Sequence, residues 1–372
     1  MAVKPVQRYS KSGRHKSPAF SYICTIHKDN DKMIRFDCDY MAGAHPEVLK
    51  AIIENNAVQT AGYGADPFCR RAAELVRQAC GTPDADVFFM VGGTQANSTV
   101  LDGLLSRTQG VIAAESGHIN VHEAGAIELT GHKVIALPQQ DGLLRPEDLR
   151  IFLEEFNADD TNEHMVEPGA VYISFPSEMG TLYSRRQLEE ISATCRGYGI
   201  PLFIDGARLA YGLAASTDLT LPDIASLSDV FYIGGTKAGA LFGEAVVCTD
   251  RRLLRRFFPL MKAHGAVLAK GKLLGLQFGA LFTDDLYLRI GRHAVDLALR
   301  LRRAFALKGY RCFVDSPTNQ QFFILPNTLI DRLLPQVSFE YWGPRGENES
   351  KMRFVTSWET TEEDIAALEA LL

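Results

Sequence analysis

The chain has 372 residues, of which 46 % are hydrophobic and 23 % charged, and its formal net charge is −6. These values are typical of a globular enzyme, and the length favours two domains. The negative charge excludes a general attraction to nucleic acid or to acidic membranes. No apolar run in the sequence approaches the roughly 20 residues of a membrane span, so we expect no membrane partner.

Seven cysteines are scattered along the chain, and no two of them form a Cys-x-x-Cys pair. An odd, unclustered set argues against a disulfide framework and against structural zinc, and it favours reduced cysteines in a cytoplasmic protein. The first 32 residues are basic and polar and lack the apolar core of a secretory signal. We therefore expect residues 1–32 to be a disordered tail or the product of a start codon placed too early, with a transit peptide as the weaker alternative. We expect the folded part to begin at Met33, and we expect no bound metal.

Residues 86 to 248 alternate between short apolar runs and amphipathic stretches of helical period. The runs predict buried strands at residues 87–91, 111–114, 133–137, 171–174, 202–204 and 230–233. Pro146 opens one amphipathic stretch, which continues to Phe156, and Gly197 closes another that starts at Arg185, as helix ends require. This alternation predicts an α/β fold with a mostly parallel sheet and helices on both faces.

After residue 265 the pattern changes. Helical segments at residues 271–282 and 286–308 precede strand-like segments at 321–325, 337–341 and 352–356, and a last helix follows at 362–371. We predict a large domain over residues 33–265 and a smaller α+β domain over residues 266–372.

A glycine turn, Gly92-Gly93-Thr94-Gln95, follows the first strand run and opens a helix. Glycine lets the backbone approach an anion, and the free N–H groups and dipole of a helix start favour negative charge. The turn lacks the Gly-Lys-Ser/Thr of a P-loop and is not Gly-x-Gly-x-x-Gly. It predicts a phosphate site, and an ordinary turn before a helix is the simpler alternative.

Two charged residues follow two later strand runs. Asp205 ends the run at 202–204, and Lys237 follows the run at 230–233 among small residues. In open α/β sheets, ligands bind outside the carboxyl ends of the strands. Desolvation lowers the pKa of a lysine and makes it a better nucleophile. The alternatives are a helix N-cap for Asp205 and a solvated surface charge for Lys237.

A phosphate cradle, an acid and a lysine at one sheet edge predict a site for pyridoxal 5'-phosphate. Lys237 would carry the cofactor as a Schiff base, and Asp205 would keep the pyridine nitrogen protonated so that the ring accepts electrons. His118, which follows the run at 111–114, is expected to stack on the ring.

These motifs resemble, in the same order, those of the threonine aldolase branch of the β-eliminating lyase family, which has the aspartate-aminotransferase-like fold (fold type I). The resemblance spans most of residues 33–372. The matching segments are Tyr63-Gly64-Ala65-Asp66-Pro67, Gly93-Thr94-Gln95-Ala96-Asn97, His118 to Gly125, Asp205-Gly206-Ala207-Arg208, Thr236-Lys237 and Arg353-Phe354-Val355-Thr356.

The resemblance implies a role for each matched residue. Lys237, His118 and Asp205 would be catalytic, and Tyr63 would reach the site of a neighbouring subunit in a homodimer or homotetramer. The implied cofactor-binding residues are Gly93, Thr94, Gln95, His118, Asp205, Arg208, Lys237 and Lys270. The implied substrate-binding residues are Cys38, Tyr63, Arg208 and Arg353.

Two features depart from the family pattern. Cys38 stands where many relatives have a serine or asparagine near the substrate carboxylate. Phe175-Pro176-Ser177-Glu178 lacks the histidine that some threonine aldolases place beside the substrate hydroxyl. The resemblance therefore leaves open which group takes the hydroxyl proton, and His122 is one candidate.

We expect the protein to cleave L-threonine, L-allo-threonine or a related β-hydroxy-α-amino acid to glycine and an aldehyde. The nearest alternative is β-elimination from another amino acid with the same cofactor. A non-catalytic binding module that retains the fold is an alternative of a different class. A nicotinamide oxidoreductase is disfavoured because its glycine fingerprint is absent.

Overall fold

A seven-stranded sheet forms the centre of the part of the chain that the computed structural model describes, residues 33–372. The predicted tail, residues 1–32, lies outside the described residues. The strands are β1 (Ile34–Arg35), β2 (Asp86–Met90), β3 (Gln109–Ala114), β4 (Val134–Leu137), β5 (Gln139–Gln140), β6 (Leu143–Leu144), β7 (Glu167–Ser174), β8 (Leu202–Asp205), β9 (Val230–Gly234), β10 (Glu244–Cys248), β11 (Arg311–Cys312), β12 (Gln320–Pro326), β13 (Val337–Ser338), β14 (Glu340–Tyr341) and β15 (Glu349–Val355).

The α-helices alternate with these strands in the first two thirds of the chain and become longer afterwards. They are α1 (Pro46–Glu54), α2 (Pro67–Cys80), α3 (Gly93–Leu104), α4 (His118–Val121), α5 (Ala126–Leu129), α6 (Pro146–Ala158), α7 (Arg185–Tyr198), α8 (Leu209–Ala215), α9 (Leu221–Leu227), α10 (Phe257–Ala263), α11 (Lys272–Leu281), α12 (Leu286–Leu307), α13 (Asn327–Leu333) and α14 (Glu362–Leu371).

The strand order of the central sheet is β2-β10-β9-β8-β7-β3-β4. All neighbouring pairs are parallel except those of β10, which runs antiparallel to both β2 and β9. The mostly parallel α/β sheet predicted from the sequence is therefore confirmed. The prediction did not include β10, because its short apolar run follows a glycine turn and has no helix before it.

Both faces of the sheet are covered, as the continuous apolar runs require. Every residue of β8, β9 and β10 is buried. In β7, Val171 and Ile173 belong to the hydrophobic core on one face, whereas Ala170 and Tyr172 belong to the core on the other. This alternation follows from the two-residue period of a strand.

Local signals set the ends of the crossover helices. Helix α7 begins with a capping box, in which Ser184 and Gln187 each bind the backbone of the other. It ends at Tyr198 and is capped by Gly199, whose φ of 68° lies in the left-handed region that glycine adopts readily. The helix thus runs past Gly197, the end predicted from the sequence, by one residue.

A second sheet lies in the C-terminal part, with the antiparallel strand order β11-β12-β15-β14. The single strand predicted at 337–341 is in fact two short strands, since β13 pairs with β1 and β14 pairs with β15. Phe339, between them, turns inward and stacks on Phe354 with the ring centroids 4.5 Å apart. The division into domains at residue 265 stays a prediction.

Helix α12 connects the two regions of the core. Ile290 and Ala294 belong to the core of the central sheet, and Leu301 and Phe305 belong to the core behind the C-terminal sheet. Among residues 33–372, no helix has both the length and the apolar character needed to cross a membrane.

Candidate active site

A cavity of about 190 Å³ opens at the carboxyl ends of β7, β8 and β9. Its walls contain six of the predicted site residues, which are separated by up to 144 positions in the sequence: Gly93, Thr94, His118, Asp205, Arg208 and Lys237. A larger cavity of about 590 Å³ shares His118, Arg208 and Lys237 with the first and reaches Arg353. The fold places these residues together because the turns after parallel strands meet at one edge of the sheet.

The helix start predicted to hold phosphate borders the first cavity. Gly92 precedes α3 in an extended conformation, and no side chain of residues 33–372 caps the helix. Its first N–H groups are therefore free to bind an anion. Gln95 uses its side chain elsewhere, since Nε2 donates to the carbonyl of His264 at 3.2 Å and Oε1 accepts from the N–H of Val91 at 3.4 Å. Only the backbone of Gln95 remains available for the phosphate role.

Asp205 lies at the bottom of the cavity and accepts four hydrogen bonds. The donors are Tyr232 Oη at 2.5 Å and the Ala207 N–H at 2.9 Å to Oδ1, and Tyr172 Oη at 2.6 Å and Asn97 Nδ2 at 2.9 Å to Oδ2. Burial opposes ionisation, but the positive charge of His118 and these side-chain hydrogen bonds outweigh it, so the pKa of Asp205 lies below its ordinary value. The ionised carboxylate can therefore accept a hydrogen bond from a protonated ring nitrogen.

His118 and Asp205 are connected through two further polar residues. His118 Nδ1 lies 2.7 Å from Glu123 Oε1, and the same oxygen accepts from Asn97 Nδ2 at 2.7 Å. Burial lowers the pKa of His118, but the hydrogen bond to Glu123 and the charge of Asp205 more than compensate and raise it. The imidazole therefore carries a positive charge more readily than an ordinary histidine does, which strengthens its electrostatic effect on Asp205.

Hydrogen bonds fix Lys237 and the two residues that precede it. Tyr211 Oη donates to the Lys237 carbonyl at 2.5 Å. Glu244 accepts from the Gly235 N–H at 3.0 Å and from Thr236 Oγ1 at 2.8 Å. Burial and the nearby Arg208 guanidinium lower the pKa of the Lys237 amine. Neutral amine is the form that attacks an aldehyde, so the site favours the predicted covalent bond to the cofactor.

The two predicted substrate arginines have different environments. Arg208 is held by Asp39, whose carboxylate accepts from Nε at 2.8 Å and from Nη2 at 3.0 Å. Asp39 has a lowered pKa because the charges of Arg208 and Lys237 outweigh the effect of burial. Arg353 lies over the ring of Trp342 at 5.3 Å and borders the larger cavity.

Among residues 33–372, Glu340 is the one ionic partner of Arg353; it contacts Nη2, and its side chain is 42 % exposed. Nη1 donates to Gln320 Oε1 at 3.1 Å, and Nε is buried with no partner in this part of the chain. Because Asp39 already neutralises Arg208, Arg353 is the better placed of the two arginines to bind a substrate carboxylate.

Gln95 lines neither cavity, and three more predicted site residues also lie outside both. Cys38 precedes Asp39 and is half-buried, and burial raises the pKa of its thiol. Tyr63 and Lys270 are exposed on adjoining loops, where the Tyr63 N–H donates to the Ala269 carbonyl at 3.3 Å. Tyr63 borders a separate groove of about 400 Å³. The structure thus places Tyr63 and Lys270 next to each other at the surface, apart from Lys237 of the same chain.

Several residues that build the site were not predicted from the sequence. Tyr172 and Tyr232 each lie between apolar residues within a strand run, and this position was the signal that they face a polar ligand or partner. Glu244 belongs to the unpredicted strand β10, and burial raises its pKa to about 8. Asp39 gave no signal, because its partner Arg208 is 169 positions away.

The residues present fit pyridoxal 5'-phosphate, because one cavity is lined by a helix start that can bind the phosphate, a buried ionised carboxylate for the ring nitrogen and a lysine of lowered pKa. Together with the sheet, they define a pyridoxal-phosphate enzyme of fold type I. A Thermus thermophilus aspartate aminotransferase has the same fold, with a TM-score of 0.67 at 14 % identity over 98 % of this chain and 100 % of that chain.

A family model described as beta-eliminating lyase matches residues 36–323, and the chain belongs to that family. The chain is 31 % identical over 344 residues to the low specificity L-threonine aldolase of Pseudomonas aeruginosa, covering 91 % of this chain and 96 % of that protein. It is also similar to a solved threonine aldolase structure from Leishmania major, with 43 % identity and a TM-score of 0.88 over 91 % of this chain and 98 % of the other.

Proposed function

We propose that the protein is a pyridoxal-phosphate-dependent aldolase that cleaves L-threonine, L-allo-threonine or related β-hydroxy-α-amino acids to glycine and an aldehyde. The observation that carries the proposal is the placement of Lys237, Asp205 and Arg353 around two adjoining cavities. The similarity to threonine aldolases over nine tenths of the chain supports this choice within the family.

When bound, pyridoxal phosphate supplies an electron sink for the bond that breaks at Cα. We assign the start of α3 to the phosphate, Asp205 to the proton on the ring nitrogen, His118 to the face of the ring and Lys237 to the covalent attachment. Arg353 would bind the substrate carboxylate. A substrate held at both the carboxylate and the amino group has its Cα–Cβ bond oriented for cleavage, a positioning effect worth several kcal/mol.

The products distinguish this function from β-elimination. Purified protein with added pyridoxal phosphate is incubated with L-threonine, L-allo-threonine and L-phenylserine, and separately with L-cysteine and L-tryptophan. The aldolase releases glycine and one equivalent of aldehyde from the first group. Ammonia and a keto acid from the second group, without glycine from the first, would refute the aldolase assignment and keep the family.

We also propose that the enzyme works as a homodimer, or as a tetramer of such dimers, with shared sites. Tyr63 and Lys270 support this arrangement, because both are exposed, adjoin each other and lie away from Lys237 of their own chain. A twofold dimer brings the same surface of both subunits together, and in the proposed dimer this loop reaches the site of the other subunit.

Mixing two inactive variants tests the shared site. Lys237→Ala and Tyr63→Ala subunits are unfolded together and refolded. If Tyr63 serves the other subunit, the mixture regains about a quarter of the wild-type activity, because half of the dimers are mixed and each has one intact site. If Tyr63 served its own chain, the mixture would stay as inactive as its components.

A further inference from the structure

Glu178 lies where the two cavities meet and lines both of them. It belongs to the turn that follows β7. This turn is closed by hydrogen bonds from the Ser177 N–H to the Thr181 carbonyl at 3.0 Å and from the Gly180 N–H to the Ser177 carbonyl at 2.9 Å. Gly180 has a φ of 72°, which a glycine adopts without strain. The backbone of Glu178 is thus fixed relative to the end of the strand.

The carboxyl group of Glu178 is oriented by two donors. Oε1 accepts hydrogen bonds from the backbone N–H of His118 at 2.9 Å and from Ser174 Oγ at 2.6 Å. Within residues 33–372, the hydrogen bonds of this carboxyl to other residues all use Oε1, so Oε2 remains for a ligand. Burial raises the pKa of Glu178, and the charge of Asp205 adds to this effect, so the ionised form binds a proton more strongly than an ordinary carboxylate does.

One side chain connects Glu178 to the arginine assigned to the substrate carboxylate. Gln320 Nε2 donates to the Glu178 carbonyl at 3.4 Å, while Gln320 Oε1 accepts from Arg353 Nη1 at 3.1 Å. Lys237 borders the same two cavities. An amino acid that binds Arg353 through its carboxylate and takes the place of the Lys237 amine therefore occupies the space that Glu178 borders.

We propose that Glu178 is a catalytic residue that accepts the proton of the substrate β-hydroxyl. The inference rests on the proposed aldolase function. In the step, the O–H bond of the β-hydroxyl breaks and its proton moves to Oε2, while the oxygen electrons form the C=O bond of the aldehyde. The Cα–Cβ bond breaks, and its electron pair stays with Cα. Cα then takes up one proton, which gives glycine, and Glu178 releases the proton that it accepted, so that atoms and charge balance.

His122 is the competing candidate, and the structure favours Glu178 over it. His122 is exposed and lines only the larger cavity, with its ring centroid 5.7 Å from that of His118. Loss of hydration and the charges of His118 and Arg353 lower its pKa. Glu178, in contrast, is fixed by hydrogen bonds to the residues around the cofactor cavity.

The test separates removal of the hydroxyl proton from the rest of the chemistry. Glu178→Gln keeps an oxygen at Oε1 for both donors and removes only the basic carboxylate. Each variant is assayed for aldehyde release from L-threonine and for exchange of the glycine α-proton with D2O, which is followed by NMR. The exchange uses the same cofactor residues but involves no hydroxyl proton. Glu128→Gln, which replaces an exposed glutamate of α5, is the matched control.

We expect Glu178→Gln to lose about 100-fold or more in kcat for cleavage, in the range measured for general bases. Glycine exchange should stay within about threefold of wild type, and so should the Kd of pyridoxal phosphate obtained from an absorbance titration. His122→Asn should keep kcat for cleavage within about threefold of wild type. Glu128→Gln should leave both reactions unchanged.

Two results would overturn the inference while the aldolase function stands. One is cleavage by Glu178→Gln within a few-fold of wild type. The other is an equal loss of cleavage and exchange, which would mean that Glu178 has a structural role. If the wild type exchanges the glycine proton but cleaves none of the hydroxyamino acids, the proposed function fails and this inference fails with it.

Discussion

Replacement of Asp205 by asparagine tests how much its hydrogen bonds stabilise the folded protein. The effect can be worked out from the four hydrogen bonds that the carboxylate accepts. An amide has one oxygen and one NH2 group, so two of the four donors face the NH2 in either orientation. The hydroxyl of Tyr172 or Tyr232 can rotate and accept instead. The Ala207 N–H and the Asn97 NH2 cannot, so one buried donor loses its partner.

An unpaired buried donor costs about 1–3 kcal/mol, and the remaining bonds lose the strength that a charged acceptor gives them. We expect Asp205→Asn to lower the free energy of unfolding of the cofactor-free protein by about 2–4 kcal/mol, measured by urea denaturation. Asp331→Asn is the control. It breaks an exposed ion pair with Arg345 and should cost at most about 1 kcal/mol.

The pH dependence checks the charge of Asp205 separately. Because folding lowers the pKa of this carboxyl, its stabilisation is complete above the unfolded pKa of about 4 and is lost as the pH falls through the folded pKa. The stability difference between wild type and Asp205→Asn should therefore shrink in that acid range. A loss below about 1 kcal/mol at neutral pH, or a difference that does not change with acid, would refute this reasoning.

Three further predictions concern other parts of the site. In Gly206→Ala, the added Cβ would lie 2.0 Å from the Tyr232 carbonyl oxygen, so we expect the free energy of unfolding in urea to fall by about 3 kcal/mol or more. In Gly197→Ala, the Cβ meets no atom of residues 33–372 within 4 Å, so this control should not destabilise α7. Glu340→Gln removes the carboxylate that competes with the substrate for Arg353. Because Glu340 is 42 % exposed, we expect a modest decrease in KM for L-threonine, about threefold to fivefold. An increased KM would show that Glu340 instead positions the arginine. Folding raises the pKa of Glu244 to about 8, so wild-type stability should fall as the pH rises from the unfolded pKa of about 4 to pH 8. Glu244→Gln should flatten this decline. Parallel stability curves of the two proteins would contradict the raised pKa of Glu244.

The sequence predicted the parts of the molecule that depend on local patterns. Apolar runs located six strands of the central sheet, and the parallel order then required Asp205 and Lys237 to lie at one edge. The pairing of Arg208 with Asp39 and of Glu123 with His118 and Asn97 was beyond such reasoning, because long-range partners are selected by packing. Glu178 was visible only as part of a segment that departs from the family pattern, and its position between the cavities required the fold.

The most direct test of the central claim is aldehyde release from L-threonine by the wild type and by Lys237→Ala, both saturated with pyridoxal phosphate. Lys308→Ala, which replaces an exposed lysine at the end of α12, is assayed beside them. If Lys237 carries the cofactor, the wild type and the control release aldehyde and glycine in equal amounts, and Lys237→Ala releases no aldehyde above the uncatalysed rate. Undiminished aldehyde release by Lys237→Ala, or no aldehyde from the wild type, would contradict the central claim.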